Sequence, residues 1–188
     1  MTPFEYVTVL ISIILGLGIT QIVSGIADMV QRWQEVKLYW PHLLWIVFVF
    51  FLHIQEWWVL YEMRSVSTWM LPTFLFTILY PINLFILARI LFPTTYMDSG
   101  TDFKSFYFDN FRKFFVWAAI LVALSIADNL FVNDYTWKDQ IVQLLLLFVI
   151  LFIAFKNFRQ EWLHKVVVLV LTVLLFAVLS LVEWAIKN

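Results

Sequence analysis

The sequence predicts an all-α integral membrane protein with six transmembrane helices. Hydrophobic residues make up 63% of the 188-residue chain and charged residues 13%, whereas a soluble domain has about 25% charged residues. Long apolar runs recur along the chain, and their lengths match the roughly 20 helical residues that cross a bilayer core of about 30 Å. These runs lack the alternation of barrel strands, so helices are the expected way to satisfy backbone groups in lipid.

The six spans follow one another with short polar connections. We expect them at residues 4–29, 40–61, 69–92, 111–132, 141–158 and 166–186. Pro3 and Pro41 stand at the starts of the first two spans, where proline is tolerated because the first N–H groups of a helix lack partners. No basic segment precedes the first span, which predicts a retained helix and not a cleaved signal peptide. The chain is therefore expected to be a single transmembrane domain over residues 1–188.

The longest connection, PTTYMDSGTDFKSFYFDN, precedes the fourth span. Its second half places aromatic residues on one helical face and polar residues opposite. The aromatic residues are Phe103, Phe106, Tyr107, Phe111 and Phe114. This pattern predicts either a short interfacial helix before helix four or an ordinary helix start with a solvated charged face.

Basic residues are distributed unequally between the two sides of the predicted bundle. Nine of the twelve Lys and Arg residues lie beside the connections after spans one, three and five. The positive-inside rule then makes these connections cytoplasmic and both termini extracytoplasmic. The outer side consequently has a negative net charge, which would attract cations there. We therefore expect an integral plasma membrane protein of the bacterial inner-membrane type, with N- and C-termini outside.

Span two carries an ionisable pair in the motif FLHIQEWW. At 100° per residue, His53 and Glu56 share a helix face with His42, while Gln55 points elsewhere. Ionisable groups at this depth usually turn toward protein or water, and a His and a Glu three residues apart can relay a proton or share a cation. The alternative is a Glu that reaches the headgroups beside the tryptophans that follow it.

Further acidic residues on the same side extend this pair to a candidate ion or proton site. The predicted site comprises His53, Glu56, Asp128, Glu5 and Glu183. Glu183 is followed by a tryptophan, as Glu56 is, and this repetition equally fits glutamates at headgroup level.

Helix interruptions coincide near the predicted midplane. Gly16 and Gly18 weaken the centre of span one, and Pro81 removes a backbone hydrogen bond and should kink span three. Interrupted helices at this depth are typical of transporter binding sites. The candidate midplane residues are Gly16, Gly18, Gln21, Pro81 and Asn83.

A row of small and polar residues runs along span one. Ser12, Gly16, Thr20 and Ser24 recur at intervals of four, which is the pattern of close helix contacts within a chain or between copies.

Composition also argues against several classes of function. The absence of cysteine excludes Cys-ligated zinc and iron–sulfur clusters. Every lysine lies at a span end, which disfavours a retinal Schiff base, and too few histidines are present to ligate two haems through His42 and His53. A net charge of −1 gives no support for nucleic acid binding. We expect no cofactor.

These observations favour a cation or proton channel or an ion-coupled transporter. A channel of this size would be a homo-oligomer, because six helices are few to surround a pore. The alternative is a non-catalytic membrane scaffold, sensor or effector subunit, with a protein partner or anionic lipid at the basic cytoplasmic connections. An enzyme is not the expectation, since no nucleophile with a neighbouring base is recognisable.

Overall fold

The computed structural model describes residues 2–66, 68–93, 100–131 and 135–181. Over these ranges the chain forms helices joined by loops, with an isolated bridge between Lys37 and Asp102. The helices are α1 (Pro3–Gln31), α2 (Trp40–Val59), a 3₁₀ helix (Leu60–Ser65), α3 (Leu71–Thr77), α4 (Leu79–Ile90), α5 (Phe103–Phe131), α6 (Ile141–Lys156) and α7 (Glu161–Leu181).

Most of these helices have the length and composition of membrane spans. Among the described residues, five are long and apolar enough to cross a membrane: α1, α2 with the 3₁₀ helix, α3 with α4, α5, and α7. The sixth, α6, has 16 residues and is shorter. Its rise of about 24 Å falls somewhat below a typical hydrocarbon core. The architecture is therefore all-helical with five to six helices that fit a membrane protein.

The third span is divided into two helices. α3 ends at Thr77 and α4 begins at Leu79, with Ile78 between them in a turn. Pro81 has no N–H to donate to the Thr77 carbonyl, so the helical ladder is broken at this point. The interruption expected from Pro81 thus occurs one turn before the proline itself.

The segment before the fourth span is not a separate interfacial helix. α5 runs without interruption from Phe103 to Phe131, and its first turns bury Phe103, Tyr107 and Phe111 in the protein. The aromatic face expected at the membrane surface instead contacts other helices, since the ring of Phe103 packs against His42 and that of Tyr107 against His164. The fourth helix consequently begins well before residue 111.

The helices α2 and α4 form the centre of the bundle. α2 contacts α1, α4, α5 and α7, while α4 contacts α1, α2 and α5. α6 packs on α5 and presents large apolar side chains outward. The most exposed of these are Val142, Leu145, Phe148 and Phe155. In water such a face would be an aggregation hazard, whereas lipid is its natural surrounding.

The bundle has two chemically different ends, which we name by their charge. The acidic end is where α1 begins and α2 ends, and it carries Glu5, Glu56 and Asp128. At the opposite, basic end, the α1–α2 connection pairs with the start of α5. The Lys37 N–H donates to the Thr101 carbonyl at 2.9 Å, and the Phe103 N–H donates to the Lys37 carbonyl at 3.0 Å.

Candidate functional site

Two carboxyl groups and a phenol come together at the acidic end. Glu56 of α2 and Asp128 of α5 interact electrostatically with each other, and both interact with Tyr80 of α4. All three side chains are half-buried. The structure therefore groups Glu56 with Asp128, as the sequence-based site did, and it adds Tyr80 from a third helix.

His53 lies one turn deeper on α2 and is completely buried. Its Nδ1 donates to the Val49 carbonyl at 2.7 Å, because a carbonyl oxygen can only accept. The other ring nitrogen, Nε2, is then an acceptor, and it has no hydrogen-bond partner among the described residues. The imidazole is thus held in one tautomer with its free lone pair inside the bundle.

Gly18 of α1 provides the space that the His53 ring occupies. An ideal Cβ at residue 18 would lie 2.2 Å from Nε2 and 2.6 Å from Cδ2 of His53. Real atoms do not approach so closely, so any side chain here would displace the ring. Gly18 is therefore a contact point between α1 and α2.

Asn83 of α4 is a second buried polar group without partners. It is 2% exposed, and neither Oδ1 nor Nδ2 has a hydrogen-bond partner among the described residues. Buried amides normally make such bonds, so an orphaned one in the protein interior needs an explanation.

His53 and Asn83 lie within about one helical turn of each other in depth. The hydrogen bond from His42 Nε2 to the Leu91 carbonyl, 2.8 Å long, sets the register of α2 against α4. From there a rise of 1.5 Å per residue carries His53 about 16 Å and Asn83 about 12 Å toward the acidic end. The two helices contact each other and α1. We call this level, defined by Gly18, His53 and Asn83, the buried polar layer.

Side-chain hydrogen bonds link α5 to α6 near the acidic end. Asn129 Nδ2 donates to Gln140 Oε1 at 3.0 Å, and Gln143 Nε2 donates to Ser125 Oγ at 3.4 Å. Sequence reasoning missed these residues, although amides near the ends of two successive apolar runs were a visible signal. With Glu56 and Tyr80, they make the acidic end polar on α2, α4, α5 and α6.

Glu5, which the predicted site also includes, caps the start of α1. Glu5 is exposed and forms a capping box, in which its Oε2 accepts from the Thr2 N–H at 2.8 Å and Thr2 Oγ1 accepts from the Glu5 N–H at 3.1 Å. Glu183 lies outside the described residues.

Some of the predicted midplane residues lie in the interior of the bundle and others lie on its surface. Gly18, Pro81 and Asn83 are buried, and Gln21 is half-buried. Gly16 is exposed, and a Cβ added there would meet no atom within 4 Å.

The small-residue row of α1 lies mostly on the outside. Thr20 and Ser24 are exposed with Gly16, and Ser12 is half-buried. Thr20 Oγ1 donates to the Gly16 carbonyl at 2.7 Å. The face of α1 that packs on the bundle is a different one, made of Val7, Ile11, Leu15, Gly18, Ile22, Gly25 and Met29.

At the basic end, His164 is buried in a cluster of aromatic residues. Tyr107 OH donates to His164 Nδ1 at 2.8 Å, and His164 Nε2 donates to the Phe158 carbonyl at 2.7 Å. Aromatic rings of α5 surround His164, with Phe111 nearest at 4.9 Å between ring centroids. Both ring nitrogens of His164 are hydrogen-bonded, so the cluster has a structural role in holding α7 against α5.

Two lysines at the basic end form ion pairs within the chain. Lys104 and Lys165 contact the carboxylate of Glu161 at 2.6 and 2.8 Å. Tyr39 lies nearby, where burial, followed by the charge of Glu161, raises the pKa of its phenol to about 12. Some of the basic side chains that were expected to bind a partner thus form ion pairs within the protein instead.

The fold and its buried polar layer define a class of protein: an all-helical chain with five to six helices long and apolar enough to span a membrane. No three His, Asp or Glu side chains of the described residues are grouped closely enough to hold a metal ion. The chain matches no protein family model, and comparison with curated proteins and with solved structures finds no similar chain. No activity is therefore transferred to it from another protein.

Proposed function

We propose that this protein moves protons or small cations across a membrane, as a channel or an ion-coupled transporter. The observation that supports the proposal is the grouping of Glu56 and Asp128 with Tyr80. Interacting carboxyl groups inside an apolar bundle can bind a cation or share a proton, and ionisable residues at such depth commonly mark ion pathways.

The surroundings of the carboxyl pair suit an opening toward the acidic end. Glu56 and Asp128 keep part of their surface exposed. The amides of Asn129, Gln140 and Gln143 offer hydrogen bonds to water arriving from this end. Deeper in, His53 follows Glu56 on the same helix face, which continues the polar path into the bundle.

We place the protein in a bacterial inner membrane with the acidic end and both termini outside. The concentration of Lys and Arg beside three connections supports this orientation. A homo-oligomer is part of the proposal, because the exposed row of Gly16, Thr20 and Ser24 suits close contact with a second copy.

Flux measurements in proteoliposomes test this function. Purified protein is reconstituted with a dye for protons and one for alkali cations, and flux is followed after a gradient is imposed. Glu56→Gln and Asp128→Asn should each lower the rate at least tenfold. Glu62→Gln, an exposed carboxylate at the same end, is the matched control and should leave the rate unchanged. Wild-type protein that carries no cation would overturn the proposal.

A non-catalytic scaffold, sensor or effector subunit is the second candidate function. It is favoured by the exposed Gly16 face, where a partner helix could approach the backbone closely. Gly16→Leu and Ser24→Leu should then abolish cross-linking in the membrane to a partner protein of different sequence, and Glu56→Gln should not affect it. Cross-linking between identical copies alone, together with cation flux that Glu56→Gln lowers, favours transport.

A further inference from the structure

We propose that a cavity between α1 and the end of α2 binds a quaternary ammonium group, the fully methylated, positively charged nitrogen of choline and of choline-containing lipids. The cavity lies at the acidic end and has a volume of about 200 Å³. This space exceeds a water molecule's share of about 30 Å³ and falls below the roughly 300–1,000 Å³ of drug-sized sites, so it suits a small organic ion. The proposal goes beyond ion transport, because the cavity is on the α1 side of α2, whereas Glu56 interacts with Asp128 and Tyr80 on other helices.

Aromatic rings from two facing elements make up most of the lining. Four of the seven lining residues are aromatic: Phe4, Trp57, Trp58 and Tyr61. Residues 57, 58 and 61 fall close to one helical turn of one another and form one wall, and Phe4 of α1 belongs to the opposite wall. The ring quadrupole attracts cations to the faces of such rings, and cages of these rings are how proteins recognise quaternary ammonium ligands.

The other lining residues, Thr8, Ser12 and Leu60, select among cations. None of the described residues that line the cavity is charged. A metal ion would lack the several oxygen ligands that replace its water, and a primary ammonium would lack acceptors for its three N–H groups. A quaternary ammonium donates no hydrogen bond and needs neither. The Thr8 hydroxyl donates to the Phe4 carbonyl at 2.9 Å, so its Oγ1 keeps lone pairs that can accept from the hydroxyl of choline.

A cation of the chain itself already contacts this aromatic wall. The guanidinium carbon of Arg64 lies 4.4 Å from the centre of the Tyr61 ring, within the range of a cation–π contact. Arg64 is not a lining residue, so it leaves the cavity open. The positive charge of Arg64 opposes a second cation, while the exposed carboxylates of Glu5 and Glu62 at the same end attract one.

Equilibrium binding of radiolabelled choline to the purified protein in dodecyl maltoside micelles tests the proposal, because these micelles contain no ammonium group. Choline should bind saturably. Its uncharged isostere 3,3-dimethylbutan-1-ol should compete about tenfold less well, since it lacks the charge that the ring faces attract. Equal competition by the isostere would overturn the proposal, because the cavity would then recognise shape alone. Absence of saturable choline binding would also overturn it and leave the rings as membrane anchors.

Variants of the aromatic wall locate the site. Trp57→Leu and Tyr61→Leu should each weaken choline binding about tenfold, whereas Tyr61→Phe keeps the ring face and should bind nearly as the wild type does. Trp57 is 51% exposed, so its replacement should leave the melting temperature unchanged. Trp33→Leu, at a 68% exposed tryptophan of the basic end, is the matched control. Unchanged choline binding in Trp57→Leu and Tyr61→Leu would overturn the assignment to this cavity.

The same assay in nanodiscs distinguishes a lipid headgroup from a free ligand. Nanodiscs of phosphatidylglycerol contain no choline, whereas the headgroups of phosphatidylcholine nanodiscs compete with free choline if they enter the cavity. Choline binding that is lost only in phosphatidylcholine identifies the lipid headgroup as the occupant, and equal binding in both identifies a free ligand. No flux is measured, so failure of this proposal leaves the transport function standing, and failure of transport leaves this site standing.

Discussion

The ring of His53 in α2 rests against the backbone of Gly18 in α1, and this contact fixes how the two helices approach each other. The ring is held on its other side by the hydrogen bond from Nδ1 to the Val49 carbonyl. It therefore cannot move away from residue 18 without breaking that bond. A single methyl group added at residue 18 should therefore disturb the packing of the whole buried polar layer.

We predict that Gly18→Ala destabilises the protein by about 1–3 kcal/mol, the usual cost of overpacking a filled interior. Gly16→Ala is the matched control, two residues away on the same helix, where a Cβ meets no atom within 4 Å. It should be neutral or slightly stabilising, since alanine is the better helix former. Reversible unfolding in mixed detergent micelles measures both, and equal effects of the two changes would contradict the contact.

The contact between Gly18 and His53 also predicts that a second substitution restores part of the stability lost in Gly18→Ala. His53→Ala removes the ring that an alanine at residue 18 would strike, so the double variant Gly18→Ala/His53→Ala should lose less stability than the sum of the single changes. The coupling free energy comes from a double-mutant cycle. Additive effects would show that the two residues act independently.

Tyr107→Phe should lower the free energy of unfolding by about 1–3 kcal/mol, because it leaves His164 Nδ1 buried without its donor. The loss occurs without a cavity, since the aromatic ring stays in place. Tyr6→Phe, at a tyrosine that is 74% exposed, provides the comparison and should change stability little. Thermal unfolding followed by intrinsic fluorescence measures both variants.

The loop before α6 should show a pH-dependent contribution to stability. Hydrogen bonds from the Thr136 hydroxyl, and then from its backbone N–H, lower the pKa of Asp139. A carboxyl whose folded pKa lies below the unfolded value stabilises the fold at higher pH, and this contribution is lost as the pH falls through the folded pKa. NMR titration of the Asp139 carboxyl carbon tests this, with Thr136→Val expected to raise the pKa toward its ordinary value.

The phenol of Tyr39 should ionise at a higher pH than the phenols of exposed tyrosines. Burial, and secondly the charge of Glu161, raise its pKa to about 12. Absorbance at alkaline pH should therefore show one tyrosine, absent in Tyr39→Phe, that titrates after the exposed ones. Glu161→Gln should lower this pKa by removing the smaller contribution, and an unchanged titration would contradict the electrostatic effect of Glu161 on Tyr39.

Composition and periodicity were sufficient to predict an all-helical chain with helices long and apolar enough for a membrane, because apolar length is a local property of the chain. The start of α5 was misplaced, since an aromatic face beside charged residues fits a membrane surface and a protein interior equally well. The deciding partners of Phe103 and Tyr107 are His42 and His164, which are distant in sequence. No local pattern contains that information.

The site was predictable in its residue types but not in its contacts. Glu56 and Asp128 stood out as carboxyl groups in apolar surroundings, and their grouping follows from helix order. Gly18 and His53 were noticed separately, one as a helix interruption and the other as a titratable group. Their contact depends on the register of α1 against α2, which the sequence leaves open. Tyr80 was missed because nothing local distinguishes it from the other tyrosines.

The hydrogen bond between Tyr107 and His164 joins residues 57 positions apart in the chain. During synthesis, α5 is therefore complete while the ribosome has yet to make the residue that its aromatic face encloses. Until α7 docks, the hydroxyl of Tyr107 lacks this acceptor, and the aromatic rings of α5 lack the histidine against which they pack. The docking of α7 is accordingly a late step of assembly. A nascent chain that ends after α6 therefore still lacks the histidine that the aromatic face of α5 surrounds.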